Sequence, residues 1–214
     1  MAMKQFPSKR FGVARVLSKQ GLASRTQAAA WVHEGRVSVN GKVVRDPEFP
    51  VVQDRDTIAV AGMTQKAAEV VCLMLNKPRG LVTTTSDEKG RDTVYRCFDN
   101  TGLPWLAPVG RLDKASEGLL LFTNDTAWAA QITSPESKLN KIYHVQINRL
   151  PNAEDLKKMQ QGVDIEGELH AMKHVSVLRE GEKNAWLEII LDEGKNRQIR
   201  KILAELNFEV LRLI

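Results

Sequence analysis

The sequence has few of the residues that build disulfide frameworks, metal clusters or membrane spans. Only two cysteines, Cys72 and Cys97, occur in 214 residues, so a disulfide framework and a multi-cysteine metal site are excluded and a reducing cytoplasm is expected. The longest purely apolar run, Val70–Leu75, is far shorter than the roughly 20 residues that cross a bilayer. No apolar stretch follows the first basic residues, so neither a secretory signal nor a membrane partner is expected.

Acidic residues are scarce at one end of the chain. Residues 1–62 hold ten Lys or Arg against five Asp or Glu, whereas residues 63–214 hold 21 of each class. The formal net charge of +5 therefore comes entirely from the first segment. A basic module on a neutral body indicates attachment to a polyanion such as nucleic acid, and the alternative is a solvated basic face without a partner.

Two short helices and a hairpin are predicted in the basic segment. The first helix has Phe11 on its buried face and ends at Gly21, and Ser24 caps a second helix from about Arg25 to Glu34. Asn40-Gly41 between alternating apolar residues predicts a tight hairpin, because both turn positions need a positive φ. The side chains predicted to contact phosphates are Arg10, Arg15, Lys19, Arg25, Arg36, Lys42 and Arg45.

Two stretches of the basic segment carry a resemblance to a known RNA-binding domain. Gly21-Leu-Ala-Ser-Arg25 and Glu34-Gly-Arg-Val-Ser-Val-Asn-Gly41 resemble the signature of the S4 domain, which is named after a ribosomal protein. The resemblance implies binding to structured RNA. It also adds Ser24 to the predicted RNA-binding residues.

The rest of the chain alternates strands and short helices. Residues 63–69 lack a clear period and are interpreted as a linker between a domain at 1–62 and a domain at 70–214. Strands are predicted at Val70–Leu75, Leu81–Thr85, Gly118–Phe122, Lys141–Ile147 and Ala185–Leu191. Helices are predicted after Asp125, from Asn152 to Gln161, and from Lys195 to Asn207 with Asn196 as a cap. Because long crossover helices do not separate the strands regularly, we predict an α+β fold with a mixed, mostly antiparallel sheet flanked by helices.

Two residues of the predicted second domain are candidates for a catalytic or base-contacting role. Asp113 lies on a turn before an apolar strand, where the neighbouring Arg111 favours the charged, nucleophilic carboxylate. The alternative is a structural pair between Asp113 and Arg111. Tyr143 lies on an alternating strand, where its ring either stacks on an exposed base or belongs to the core.

A cluster of cations crowds the start of the last predicted helix. Its members are Lys195, Arg197, Arg200 and Lys201. They either bind phosphate together with the helix N-terminus, pair with Asp113, or form a solvated basic face. The four histidines, His33, His144, His170 and His174, show no metal-binding spacing with acids or cysteines.

Taken in order, four motifs resemble those of bacterial ribosomal-RNA pseudouridine synthases, in the branch that carries an N-terminal S4 domain. The motifs are Asn76-Lys-Pro-Arg-Gly80, Gly110-Arg-Leu-Asp113 with Gly118-Leu-Leu-Leu121, Lys141-Ile-Tyr143, and Gly194-Lys-Asn-Arg-Gln-Ile-Arg-Lys201. The resemblance covers nearly the whole chain. It implies an enzyme that isomerises a uridine already in RNA, without a cofactor or metal, by attack on either the sugar or the ring.

The resemblance also implies roles for individual residues. Asp113 is the nucleophile, Tyr143 packs against the target uracil, and Arg197 is the basic partner of the aspartate with Arg200 as the alternative. Arg111 and Lys77 complete the predicted substrate-binding residues, and Lys195 and Lys201 the predicted RNA-binding residues. The implied partner is ribosomal RNA or a pre-ribosomal particle, with the large subunit favoured and a monomeric enzyme expected.

Two other functions stay open from the residues alone. One is a non-catalytic RNA-binding factor in ribosome assembly, against which the Gly110–Asp113 and Lys141–Tyr143 motifs argue. The other is a small-molecule enzyme with a basic tail, which the sequence disfavours because it has neither a nucleotide-binding loop nor a metal motif. The family normally continues past Val210–Ile214, so a truncated second domain is expected.

Overall fold

A computed structural model of the protein describes residues 9–53, 55–63 and 69–214. The helices are α1 (Val13–Lys19), α2 (Arg25–His33), α3 (Thr126–Thr133), α4 (Ala153–Gln161) and α5 (Gln198–Glu205). The strands are β1 (Phe11–Gly12), β2 (Val37–Val39), β3 (Lys42–Val44), β4 (Pro50–Val51), β5 (Ile58–Val60), β6 (Cys72–Lys77), β7 (Ala107–Val109), β8 (Gly118–Thr123), β9 (Lys141–Ile147), β10 (Val163–Ile165), β11 (Glu168–His170), β12 (His174–Glu180), β13 (Ala185–Leu191) and β14 (Val210–Leu213). This mixture, with its antiparallel sheets, confirms the predicted α+β class.

The chain divides into two compact units. The first contains the described residues up to Leu73 together with Phe98–Pro108 and Phe122–Ala129, and the second contains Met74–Cys97, Val109–Leu121 and Ala130–Ile214. A further three-stranded sheet is ordered β6-β8-β7. The domain limits of 1–62 and 70–214 stay predictions, and residues 64–68 of the predicted linker lie outside the described residues.

The first unit contains α1, α2 and a three-stranded sheet ordered β3-β2-β5. The Ser24 hydroxyl accepts a hydrogen bond from the Gln27 amide at 3.1 Å, so the predicted cap of α2 is confirmed. The hairpin turn is confirmed as well, with φ of 51° at Asn40 and 79° at Gly41. The helical prediction for Phe11 is wrong, because this residue pairs with Val51 in a short ladder and is only half-buried.

The second unit is built on an antiparallel sheet ordered β12-β13-β9-β14. One face of this sheet joins α5 in a hydrophobic core whose buried members include Ile147, Leu187, Ile202 and Leu203. The amphipathic spacing of α5 therefore buries the stripe that the sequence predicts. Strand β14 lies at one end of the sheet order and pairs with β9.

Two predictions about this part of the chain are wrong. Leu81–Thr85 forms a single bridge between Val82 and Thr93 instead of a strand, and the Thr83 hydroxyl donates to the Leu112 carbonyl at 2.8 Å. The last helix begins at Gln198, so Asn196 is not its cap. Arg197 occupies that position with a left-handed backbone and makes no side-chain cap hydrogen bond.

Candidate active site in the second unit

Asp113 lies on the loop between β7 and β8, where its carboxylate meets two arginines. Arg197 Nη1 donates a hydrogen bond to Asp113 Oδ2 at 3.0 Å, and Arg200 Nε lies 3.8 Å from the same oxygen. The Asp113 side chain is 35% exposed, so a substrate can still reach it. The loop thus presents an oriented carboxylate next to two cations at an accessible surface.

Lys77 stabilises this loop through hydrogen bonds to its backbone. Its side chain is fully buried, and Nζ donates to the carbonyls of Pro78 at 3.1 Å, Asp113 at 3.1 Å and Ser116 at 2.8 Å. Burial lowers the pKa of the Lys77 ammonium, while Asp113 nearby acts in the opposite direction. The placement favours support of the Asp113 loop over direct contact with a substrate.

Arg200 also holds the loop from α5. Its Nη2 donates to the Ala115 carbonyl at 3.3 Å and to the Ser116 hydroxyl at 3.2 Å. Burial and the neighbouring Arg197 lower the pKa of Arg200, and Asp113 raises it. Arg197, in contrast, is half exposed, so it is the arginine of the two that solvent and ligands reach more easily.

The loop that precedes α5 is fixed by polar contacts of its own. Lys195 Nζ lies 3.1 Å from Glu168 and 3.7 Å from Glu193, and the hydrogen bond to Glu168 raises the pKa of Lys195. Gln198 donates to Glu193 and to the Ala171 carbonyl at 2.6 and 2.9 Å. Lys195, predicted to bind RNA, is therefore already engaged by acids.

The other predicted residues of this unit lie apart from these contacts. Arg111 is exposed, and the ion pairs of Asp113 are with Arg197 and Arg200, so the structure favours the expected partner Arg197 over the alternative of a structural pair with Arg111. Tyr143 is half-buried on β9 opposite Ile189 and packs against the core, and burial raises its pKa. Lys201 is half-buried on α5.

An open cavity adjoins the two arginines. Its volume is about 490 Å³, within the range of ligand sites, and it is lined by Arg197, Arg200, Asn148 and Phe208 among others. Arg197 therefore contacts the Asp113 carboxylate and also lines an accessible cavity of mixed polarity.

Sequence reasoning missed one pair at this site. Arg212 on β14 forms two hydrogen bonds with the Glu117 carboxylate, four residues after Asp113. Nothing in the local sequence indicates this contact, because the partners lie 95 residues apart.

The first unit presents the predicted basic surface. The cations predicted to contact phosphates are all exposed: Arg10, Arg15, Lys19, Arg25, Arg36, Lys42 and Arg45. Three cations surround the Phe11 ring, with Lys9 at 5.8 Å, Arg15 at 5.2 Å and Lys19 at 4.6 Å from its centroid. Ser24 is used as the cap of α2, so its hydroxyl serves the helix.

Metal-binding clusters and membrane-spanning helices are both absent from the described residues. These residues hold no group of three or more His, Cys, Asp or Glu side chains placed to bind a metal ion. No helix in the described ranges is long and apolar enough to cross a membrane.

Comparisons with known proteins agree on one family. A profile described as RNA pseudouridylate synthase matches residues 71–205, and the S4 domain profile matches residues 12–56. An uncharacterised RNA pseudouridine synthase of Rickettsia bellii is 37% identical over 202 residues, which span 94% of this chain and 87% of the relative. The ribosomal large subunit pseudouridine synthase B of Bacillus subtilis is 34% identical, covering 93% of this chain and 82% of its own. A crystal structure of a pseudouridylate synthase superposes with a TM-score of 0.61 at 26% identity, covering 95% of this chain and 86% of the other.

Proposed function

The chain belongs to the RNA pseudouridylate synthase family, and from that premise we propose that it isomerises uridine to pseudouridine in ribosomal RNA, with the large subunit as the favoured substrate. The name of the Bacillus relative supports the large subunit, and the S4 match supports binding of structured RNA. We expect the enzyme to act in the cytoplasm as a monomer, on ribosomal RNA or a pre-ribosomal particle.

The observation that carries the proposal is the accessible Asp113 carboxylate held by Arg197 at 3.0 Å. A nucleophile must be oriented and reachable at the same time. Asp113 meets the first need through Arg197 and through the support of Lys77, and it meets the second through its partial exposure. We therefore assign Asp113 as the nucleophile.

The reaction exchanges one bond for another within the same nucleotide. The bond between N1 of uracil and C1′ of ribose breaks, a bond between C5 and C1′ forms, C5 loses a proton and N1 gains one. No co-reactant is consumed, and attack of Asp113 on either the sugar or the ring satisfies this balance. The target base must first leave its helix, at a cost of a few kcal/mol.

In the proposal, cations around Asp113 and cations of the first unit bind the RNA, and this binding energy offsets the cost of flipping the target base. In the proposal, Arg197 contacts the backbone of the flipped nucleotide from the edge of the open cavity, and Tyr143 packs against the uracil. Phosphate contacts from the exposed cations of the first unit, Arg15 and Lys19 among them, anchor the RNA without reading its sequence.

Asp113→Asn tests the catalytic assignment. We expect pseudouridine formation to fall below detection and RNA affinity to stay within about twofold, because the amide keeps the shape and loses the nucleophile. Pseudouridine mapping in a strain that lacks the gene, rescued by the wild type or by the variant, is the measurement. Asp99→Asn, at an exposed position, serves as the matched control and should rescue fully.

Two results would contradict the proposal. If no pseudouridine disappears in the deletion strain, the chain is not the enzyme for any mapped site. If the Asp113 variant rescues the modification, the nucleophile is another residue.

The RNA anchor is tested by a salt series. Removing one cation that binds a phosphate should reduce the slope of log affinity against log salt by roughly 0.7 to 0.9. Arg15→Ala with Lys19→Ala should therefore flatten the slope by about twice that amount, while Lys157→Ala on the exposed face of α4 should leave it unchanged. An unaltered slope in the double variant would exclude this surface as the anchor.

A further inference from the structure

The segment from Asp113 to Glu117 is held by cations that come from three separate elements. Lys77 at the end of β6 and Arg200 on α5 donate to its main-chain carbonyls. Arg212 on β14 instead binds a side chain of the segment, the Glu117 carboxylate. Lys77 and Arg200 therefore constrain the backbone of the loop, and Arg212 constrains its last residue, Glu117.

The Glu117–Arg212 contact has the geometry of a strong ion pair. Arg212 Nε donates to Oε1 at 2.6 Å and Nη2 donates to Oε2 at 3.0 Å, so both oxygens are used. The Glu117 side chain is 19% exposed, and its backbone amide donates to the Leu213 carbonyl at 3.0 Å. Glu117 is thus attached to β14 through both its side chain and its main chain.

The same strand is attached to the strand that carries Tyr143. Arg212 pairs opposite Gln146 on β9, and Ile214 exchanges both backbone hydrogen bonds with His144 at 2.9 Å. Strand β14 therefore connects the loop of the proposed nucleophile to the strand of the proposed base-contacting tyrosine.

We propose that Glu117 and Arg212 are a positioning pair that sets the Asp113 carboxylate at its working distance from the strand of Tyr143. The inference rests on the proposed function, because it takes Asp113 as the nucleophile. In this role neither side chain needs to touch the substrate. A displacement of about 1 Å at a reacting group can cost on the order of a hundredfold in rate, so a small shift of the loop is sufficient to reduce turnover.

A double-mutant cycle tests this pair through the rate of the chemical step. Glu117→Gln, Arg212→Gln and the double variant are assayed by tritium release from unmodified large-subunit ribosomal RNA transcripts labelled at C5 of uracil. We expect each single variant to lose roughly 10- to 100-fold in kcat, with KM within about threefold of the wild type. The double variant should lose no more than the worse single variant, since both changes break the same ion pair.

A second ion pair of the same unit serves as a control, which distinguishes an effect on positioning from a general loss of stability. Arg91 binds both oxygens of Asp87 in the same unit, at 3.0 and 2.6 Å, and Arg91→Gln should leave kcat unchanged. Arg212→Lys keeps the charge but cannot bind both oxygens in the same way, so it should give an intermediate kcat and keeps the test valid if the glutamine variant unfolds.

The outcomes separate the positioning pair from the proposed function. A wild-type protein without turnover would overturn the proposed function itself. An active wild type whose glutamine variants keep kcat within twofold, change KM alone, or lose activity additively would overturn the positioning pair and leave the proposed function intact.

Discussion

Replacing Lys77 with methionine removes the ammonium that supports the Asp113 loop and keeps the long aliphatic stem. Three carbonyls accept from this ammonium, but the Asp113 carbonyl also accepts from the Ser116 amide at 3.0 Å. The methionine variant therefore deprives chiefly the carbonyls of Pro78 and Ser116 of their donor. The bond to Ser116 is buried, whereas Pro78 is an exposed residue whose carbonyl is only partly shielded from water.

The free energy of unfolding should fall by about 1–2 kcal/mol. A buried polar group left without a partner costs about 1–3 kcal/mol, and of the two carbonyls only that of Ser116 loses a buried hydrogen bond. Relief of the cost of burying the ammonium, the same burial that lowers the pKa of Lys77, offsets part of this loss. At about 2–4 °C per kcal/mol for a chain of this length, the melting temperature should fall by roughly 2–8 °C.

Urea titration and thermal melts measure this effect. Lys157→Met on the exposed face of α4 is the matched control and should change stability by less than about 0.5 kcal/mol. A Lys77 variant as stable as the wild type would refute the reasoning, because it would show that the buried Ser116 carbonyl does not need the ammonium as its donor.

Three further predictions concern the hairpin turn, the α5 loop and the β14 pair. Gly41→Ala should cost about 1–2 kcal/mol in urea titration, since φ is 79° and nothing lies within 4 Å of the new methyl, and an unchanged stability would show that the turn relaxes. Lys195→Ala should leave the salt slope of RNA binding unchanged because Glu168 already binds this lysine, and a flatter slope would contradict that. Arg212 lowers the pKa of Glu117 below its ordinary 4.5, so the stability that the charged Glu117 contributes is present above that pH and disappears as the pH falls through the lower folded value. The melting temperatures of the wild type and Glu117→Gln should converge in acid, and a constant difference would exclude this linkage.

The sequence predicts local structure well wherever a side chain bonds to backbone close by. Ser24 and Asn152 each accept from the amide three residues later, and both caps were identifiable from residue type and spacing. The Asn40-Gly41 turn is equally local. In contrast, the hairpin of β10 and β11 turns at Glu166-Gly167, where the glutamate has a φ of 57°. Glutamate rarely adopts a positive φ, so its presence does not predict a turn.

The resemblance to the synthase motifs predicts both the members of the candidate site and the partner of Asp113, because it names Arg197 as the basic partner of the aspartate. The residues alone leave that partner open between Arg111 and the cations of Lys195–Lys201, and they give no signal for the pair of Glu117 and Arg212. Arg197 reaches Asp113 across 84 residues, and it does so from a position with a left-handed backbone just before α5, which starts three residues later than the periodicity predicts. Contacts of that separation depend on the tertiary fold, which spacing along the chain does not encode.

The cations that contact the Asp113 loop also determine how late in folding the candidate site can form. The partners are 36 residues apart for Lys77 and Asp113, 84 for Arg197 and Asp113, and 95 for Arg212 and Glu117. Contacts of such long separation form late in folding, after the local helices and hairpins. During synthesis the loop lacks its last support until β14 has emerged and paired with β9, and in refolding the recovery of activity should lag behind the recovery of secondary structure. The loop that carries Asp113 is thus fully supported only after strands distant in sequence have paired.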